Sequence, residues 1–226
     1  MRTAARYLGL LLALVAGVSG CDHDPGTPER TSTSSPVPAG DHVDPGNLKR
    51  VRSALPSGYE VADLKGPISI AALWGFGAGW QADPARCAVL ADPAPADPAA
   101  RGMSASGPGG TVYVIVSAAT EVVAADTVLM DSCRQWAMAF SHTTASVELT
   151  AAPVIEGAAT LAAALTARTA VESGMETDTE ISTASAYLDG FVVTVALLTD
   201  PGSRHAPLEP HFVNDLLGTT VTALRG

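Results

Sequence analysis

Apolar and polar positions divide this chain of 226 residues into three stretches. An uncharged apolar run fills most of residues 1–20, and residues 21–43 hold mainly proline, serine, threonine, glycine and charge. From Asp44 onward, segments with helical spacing of apolar residues alternate with segments of period two. The pattern predicts a hydrophobic leader, a flexible tether and a single folded domain over 44–226, which is long enough for one sizeable core.

Helical spacing predicts three helices in the domain. The first begins at Asp44 and Pro45, which suit the N-cap and the first helical position. The second runs from Thr120 to about residue 140, and the third opens at Pro210. Their predicted buried faces are Leu48, Val51 and Leu55 in the first helix, Ala125, Leu129, Cys133, Trp136 and Phe140 in the second, and Val213, Leu216, Leu217, Val221 and Leu224 in the third.

A period of two predicts the strands of an antiparallel sheet. The last three strands form a meander, and between the final two Asp189-Gly190 tolerates the positive φ angles of a type I′ turn. Residues 161–171 fit a helix or a strand, and the glycine that follows them favours a strand. We expect an α+β fold in which helices pack on one face of the sheet. The predicted strands cover residues 59–64, 111–118, 146–150, 161–171, 179–188 and 191–198.

The first twenty-one residues indicate where the protein resides. Arg2 and Arg6 precede the apolar run, which is too short to span a bilayer and is typical of a cleaved signal peptide. The run ends in Val18-Ser19-Gly20-Cys21, which resembles the bacterial lipobox. The resemblance implies a mature protein that begins at Cys21, carries a diacylglyceryl anchor there and faces outward from the cell membrane. The alternative is a chance cysteine after an ordinary signal peptide.

The net charge of the chain argues against some classes of binding partner. Removing residues 1–20 takes away two of the 13 basic residues and none of the 23 acidic ones, so the net charge becomes −12. An acidic surface argues against nucleic acid as a partner, and also against docking on anionic lipid headgroups. Lys49, Arg50 and Arg52 on the first helix could touch headgroups, but we favour a solvated helix face.

Lipidation of Cys21 leaves Cys87 and Cys133 as an even pair in an oxidising compartment, which favours a disulfide. The closed loop would contribute about 4 kcal/mol on the chain-entropy estimate. Two buried free thiols are the alternative. A metal site is less favoured, because neither cysteine has a second ligand at the usual spacing.

The aromatic residues Trp74, Phe76 and Trp80 alternate with glycines just before Cys87. The glycines leave room for close approach of backbones, and the rings fill space. Packing of these rings against the disulfide is the favoured interpretation. A ligand-facing aromatic wall is the alternative, and it is our candidate for a binding site.

Catalytic motifs do not stand out in this sequence. A G-x-S-x-G nucleophile elbow does not occur, and the adjacent pair Ser141-His142 is too close in sequence for its side chains to face each other. His205, Glu209 and His211 match no standard metal-ligand spacing. We therefore expect a protein that is not an enzyme and that holds no cofactor and no metal.

The lipobox, the tether, the aromatic-glycine stretch, the Cys133-x₂-Trp136 spacing and the closing residues 216–226 together resemble mycobacterial lipoproteins of uncharacterised function. Their layout is similar to the extracytoplasmic sensor domains of PknH-type serine/threonine kinases. The resemblance implies an antiparallel sheet with packed helices, a cleft, and binding of a small envelope lipid or glycan rather than catalysis. Those kinase domains carry two disulfides and a transmembrane kinase, whereas this chain has cysteines for one bridge and no kinase. The alternative is a structural or partner-scaffolding envelope protein, with a hydrolase as the third choice.

Overall fold

The structure is a computed structural model that describes residues 42–95, 97–119, 121–171, 173–209 and 211–226. In this part of the chain, nine strands form one antiparallel sheet in the order β1-β3-β4-β9-β8-β7-β6-β5-β2. The strands are β1 (Glu60–Lys65), β2 (Gln81–Asp83), β3 (Arg101–Gly107), β4 (Gly110–Ala118), β5 (Gln135–Phe140), β6 (Thr143–Thr150), β7 (Ala159–Ala170), β8 (Glu176–Leu188) and β9 (Phe191–Leu198).

Helices in the described residues are short, apart from the first and the last. Three are 3₁₀ helices, and the first of these is called the N-terminal 3₁₀ helix below. The 3₁₀ helices are Pro45–Ala54, Ala85–Cys87 and Val123–Ala125, and the α-helices are α1 (Ile70–Leu73), α2 (Ala88–Ala91), α3 (Thr127–Ser132) and α4 (Phe212–Arg225).

Helices cover both faces of the sheet, which corrects the prediction that they pack on one face. Along β4, Val112, Val114 and Val116 belong to a core cluster with α4 and the N-terminal 3₁₀ helix. Ile115, between them, belongs to a second cluster with α1, α2 and both cysteines. We call these two sides the α4 face and the disulfide face. The prediction failed because the central strands are buried on both faces and do not show a single apolar side.

The predicted C-terminal meander is confirmed as β7, β8 and β9, each antiparallel to the next. Asp189 and Gly190 both have positive φ, 43° and 77°, as a type I′ turn requires. Leu188 and Phe191 close the hairpin as directly paired residues.

The helix predicted over residues 120–140 is wrong in its second half. The chain leaves α3 at Ser132, and Gln135–Phe140 forms β5, which pairs with β6 and β2. Trp136 and Met138 are buried while the alanines that follow each of them are exposed, which is the period of a strand. Over six residues the apolar spacing of a helix cannot be told from that of a strand. Pairing with β6 makes this segment a strand.

Aspartates cap two of the helices. Asp44, the predicted N-cap, accepts a hydrogen bond from Gly46 N at 2.8 Å, and its own N donates to Leu224 O at 3.0 Å. The second contact joins the N-terminal 3₁₀ helix to α4. Asp126 caps α3 by accepting from Leu129 N at 2.9 Å. Residues 120 and 210, where two helices are predicted to begin, lie outside the described residues.

Cys87 and Cys133 form the predicted disulfide, which closes a loop with a sequence separation of 46. Both cysteines are fully buried in the core of the disulfide face. The bond joins the segment that leads into α2 to the end of α3, and so it holds two of the short helices against the sheet.

The leader, Cys21 and most of the tether lie outside the described residues. Val43 was predicted as the last residue of the tether, but it is buried in the core of the α4 face. The folded part therefore includes at least one residue more than predicted. In the described part of the chain, no helix combines the length and apolar character needed to cross a membrane.

Candidate functional site

A small cavity lies on the disulfide face, between the meander and the segments that carry α1 and α2. Its largely closed interior leaves about 10 Å³ for the centre of a water-sized sphere, which is room for about one water molecule. The walls are Ile70, Trp74, Leu90, Ala91, Pro93, Trp136, Leu161, Ala163, Thr183, Ser185 and Thr194.

The floor of the cavity is a row of hydroxyl groups on the two central strands β8 and β9. Thr183 Oγ1 donates to the carbonyl oxygen of Val195 at 3.1 Å. Ser185 Oγ and Thr194 Oγ1 lie 2.9 Å apart and share one hydrogen bond. Because that bond uses one of the two hydroxyl protons, the pair can still donate a second hydrogen bond.

Two indole N–H groups lie in the walls. Trp74 is 4% exposed and Trp136 is 5% exposed. Both Nε1 atoms are buried, and among the described residues neither has a hydrogen-bond partner. A buried donor without an acceptor costs about 1–3 kcal/mol, and an indole N–H can only donate. Two buried donors in residues that line the cavity therefore remain without an acceptor in the described chain.

Asp92 joins the two segments that form the roof of the cavity. It follows α2, and its carboxylate accepts hydrogen bonds from Ser69 Oγ and, at 3.0 Å, from Ile70 N at the start of α1. Burial raises the pKa of this carboxyl group, and the two hydrogen bonds oppose that rise. Asp92 thus fixes the position of both short helices above the hydroxyl row.

Tyr187 lies two residues beyond Ser185 on β8 and is buried in the same core cluster. Burial raises its pKa well above the usual range. Its hydroxyl group also has no hydrogen-bond partner among the described residues. Tyr187 is not part of the cavity wall, so it extends the polar row without lining the site.

The predicted aromatic wall contributes one residue to the cavity. Trp74 lines it, whereas Phe76 is fully buried in the surrounding core and Trp80 is half-buried at the edge of that core. Gly77 permits the close approach expected of these glycines, since a Cβ there would lie 2.4 Å from Cζ of Phe140. The stretch mainly packs in the core that contains the disulfide.

The sequence prediction missed Thr183, Ser185 and Thr194. The period of two places them on strands but does not show which polar positions are buried. The clue was the composition of residues 191–198, a nearly continuous apolar run of the kind that forms central strands.

The residues considered for catalysis lie apart from this cavity. Ser141 and His142 occupy the exposed turn between β5 and β6, and His205 and His211 are exposed near the start of α4. Among the residues that the structure describes, no group of three or more His, Cys, Asp or Glu side chains is placed to hold a metal ion.

Comparison with known proteins gives a family and a fold. A family model described as "Domain of unknown function (DUF5642)" matches residues 44–225. The X-ray structure of an uncharacterised protein from Mycobacterium smegmatis, the Rv0999 ortholog, is similar with a TM-score of 0.60 and 20% identity. The alignment covers 81% of this chain and 98% of that one. No curated protein sequence matches the chain.

Proposed function

This chain belongs to the DUF5642 family of domains of unknown function, and we propose from the sequence around Cys21 that it is a lipid-anchored envelope protein. It binds a small ligand in the cavity of the disulfide face and catalyses no reaction. One observation carries the proposal. Two buried indole N–H groups of residues that line the cavity have no hydrogen-bond partner in the described chain, and the hydroxyl pair beside them can donate one more hydrogen bond.

The location follows from the sequence around Cys21. A diacylglyceryl group on this cysteine supplies two acyl chains, and two are enough for stable anchoring. The proposed extracytoplasmic, sensor-like role rests on this anchor and on the resemblance of the sequence to PknH-type sensor domains. Replacing Cys21 by Ser should move the protein from the membrane fraction to the soluble fraction. A Cys21→Ser chain that still sediments with membranes would contradict the anchor.

The ligand presents an oxygen acceptor on an apolar group. Ile70, Leu90 and Leu161 give the walls their apolar character, while Trp74 and Trp136 supply the donors. A space for about one water admits a single ester or carboxyl oxygen, but neither an acyl chain nor a sugar ring. We favour a lipid fragment over a glycan because the walls are mainly apolar. Any larger ligand requires α1 and α2 to move away from the sheet.

Native mass spectrometry of the protein purified from its own envelope tests this function. We expect a bound mass on the wild type and on the Trp80→Phe control, because Trp80 does not line the cavity. Thr194→Val keeps the side-chain shape and removes one hydroxyl group, and Trp136→Phe removes one N–H donor. Both variants should lose most of the bound mass. Equal occupancy in all four proteins, or no bound mass in the wild type, would contradict the proposal.

A scaffolding role is the second candidate, and one surface feature favours it. Val154 is fully exposed in the loop before β7 and lines a shallow hollow with Gly218 and Thr222 of α4. Contiguous exposed apolar surface often marks a contact site, and Pro153 and Ile155 line the same hollow as Val154. If the wild type carries no ligand and Val154→Asp abolishes a stable complex with an envelope protein, this role replaces ligand binding.

A further inference from the structure

Both lysines of this chain line the same groove on the domain surface. Lys49 comes from the N-terminal 3₁₀ helix and Lys65 from the end of β1, and Arg101 at the start of β3 completes the set. The groove has a volume of about 140 Å³, and all three side chains are exposed. Positive charge is thus concentrated in this groove, although the whole chain has a net charge of −10.

Two of these cations lie side by side on neighbouring strands. Lys65 and Arg101 are directly paired residues of β1 and β3. Like charges directly opposite each other destabilise a sheet. Among the described residues, none of the three cations forms an ion pair. The fold thus retains an unfavourable pair that an anion would relieve.

The one carboxylate in the groove is already neutralised. Asp63 accepts a hydrogen bond from the Arg52 guanidinium, and the two form an ion pair. A second hollow of about 290 Å³, lined by Gly66 and Pro98, also includes Lys65 and Arg101. The two cations therefore line both hollows and are open to an anion in either.

The groove lies close to the N-terminal end of the folded domain. Pro45 and Gly46 line it, and they are the first residues of the N-terminal 3₁₀ helix. An acyl anchor at Cys21 would hold the domain within reach of the membrane to which it is attached.

We propose that this groove docks on the phosphates of anionic phospholipid headgroups in the membrane that holds the anchor. The proposal relies on the proposed anchor to bring the groove near the membrane. The attraction between the cations and the phosphates does not depend on the anchor. The acidic remainder of the surface does not prevent docking, because charges more than about 8 Å from a headgroup are largely screened at physiological ionic strength. Docking sets which side of the protein faces the membrane.

The first test uses the chain from residue 21 with Cys21→Ser, which keeps all of the compact unit Ala39–Gly226 and has no acyl group. Sedimentation with phosphatidylcholine vesicles, with and without phosphatidylglycerol, measures its binding. We expect binding only to the anionic vesicles, falling with added salt. Each basic residue near an anionic surface contributes about fivefold, so Lys65→Gln with Arg101→Gln should weaken binding about 25-fold.

The matched control removes two exposed arginines elsewhere, Arg86→Gln with Arg204→Gln, and leaves the total charge equal to that of the groove variant. It should bind nearly as well as the unmodified chain. An equal loss in both variants would overturn the proposal, because binding would then follow net charge alone. Loss of vesicle binding in millimolar inorganic phosphate, but not in chloride of equal ionic strength, would assign the groove to free phosphate instead.

The second test uses the acylated protein in vesicles. Because Lys49 and Lys65 are the two lysines of the chain, acetylation of amines followed by mass mapping reports on this groove. We expect both lysines to react several-fold more slowly in phosphatidylglycerol vesicles than in phosphatidylcholine vesicles. Equal rates would contradict docking even if the anchor is present.

Discussion

Replacing Cys87 and Cys133 by alanine removes the covalent link between the α2 segment and α3. A closed loop of this length, with a sequence separation of 46, lowers the entropy of the unfolded chain by about 13 cal/mol/K, or about 4 kcal/mol at 25 °C. Both sulfur atoms lie in the fully buried core, so their removal also leaves small cavities there. We predict that the double variant loses at least about 4 kcal/mol, a large share of the stability of a typical domain.

Guanidinium denaturation of the oxidised protein and of the double variant, followed by tryptophan fluorescence, measures this loss. The wild type treated with a thiol reductant should approach the variant, since it loses the same constraint. The Cys21→Ser chain is the control and should match the wild type. A loss below about 1 kcal/mol in the double variant would refute the reasoning, because the unfolded chain would then gain little freedom when the link is removed.

Three further predictions concern single side chains. Gly218→Ala should stabilise α4 by about 0.5–1 kcal/mol, since a Cβ there meets open space, whereas Gly110→Ala should destabilise the protein by more than about 1 kcal/mol in the same denaturation assay. At Gly110, φ is +141° and a Cβ would lie 2.1 Å from Leu198 O; equal effects at the two sites would contradict the structure. Burial raises the pKa of Asp92, so its contribution to stability falls as pH rises from about 3.8 through the raised pKa. Asp92→Asn should remove that fall. If the stability of the wild type and of Asp92→Asn changed with pH in the same way, the pKa of Asp92 would be ordinary and the prediction wrong. Tyr187→Phe should leave stability unchanged or slightly higher, and a loss above about 1 kcal/mol would reveal a partner for its hydroxyl group.

Features decided by neighbouring residues were predictable from the sequence. Asp44 caps its helix through a residue two positions away, and Asp189-Gly190 forms its turn within one hairpin. The disulfide followed from the even number of cysteines left after Cys21. The cap and the turn depend on contacts that are local in the sequence, whereas the disulfide was predicted from a count of cysteines and not from a local contact.

Features decided by distant strands were not predictable. The segment after Cys133 becomes a strand because β6 and β2 pair with it, although its apolar spacing also fits a helix. Thr183 and Ser185 are buried because the disulfide face is covered by α1 and α2, which the strand pattern does not reveal.

The basic groove has the same origin. Lys65 and Arg101 are 36 positions apart in the sequence, and the pairing of β1 with β3 places them side by side. The net charge of −10, which follows from composition, argued against contact with anionic lipid. Local charge at a surface depends on strand pairing, which composition does not contain.

The three tryptophans of the chain allow the most direct test of the binding cavity. Nitrogen-15 NMR of protein purified from its own envelope gives one indole N–H resonance each for Trp74, Trp80 and Trp136. We predict that extraction of the protein with organic solvent, followed by refolding with the disulfide intact, shifts the resonances of Trp74 and Trp136 and leaves that of Trp80 in place. Three unchanged resonances, with native mass spectrometry showing only the mass of the protein before extraction, would contradict a ligand in this cavity.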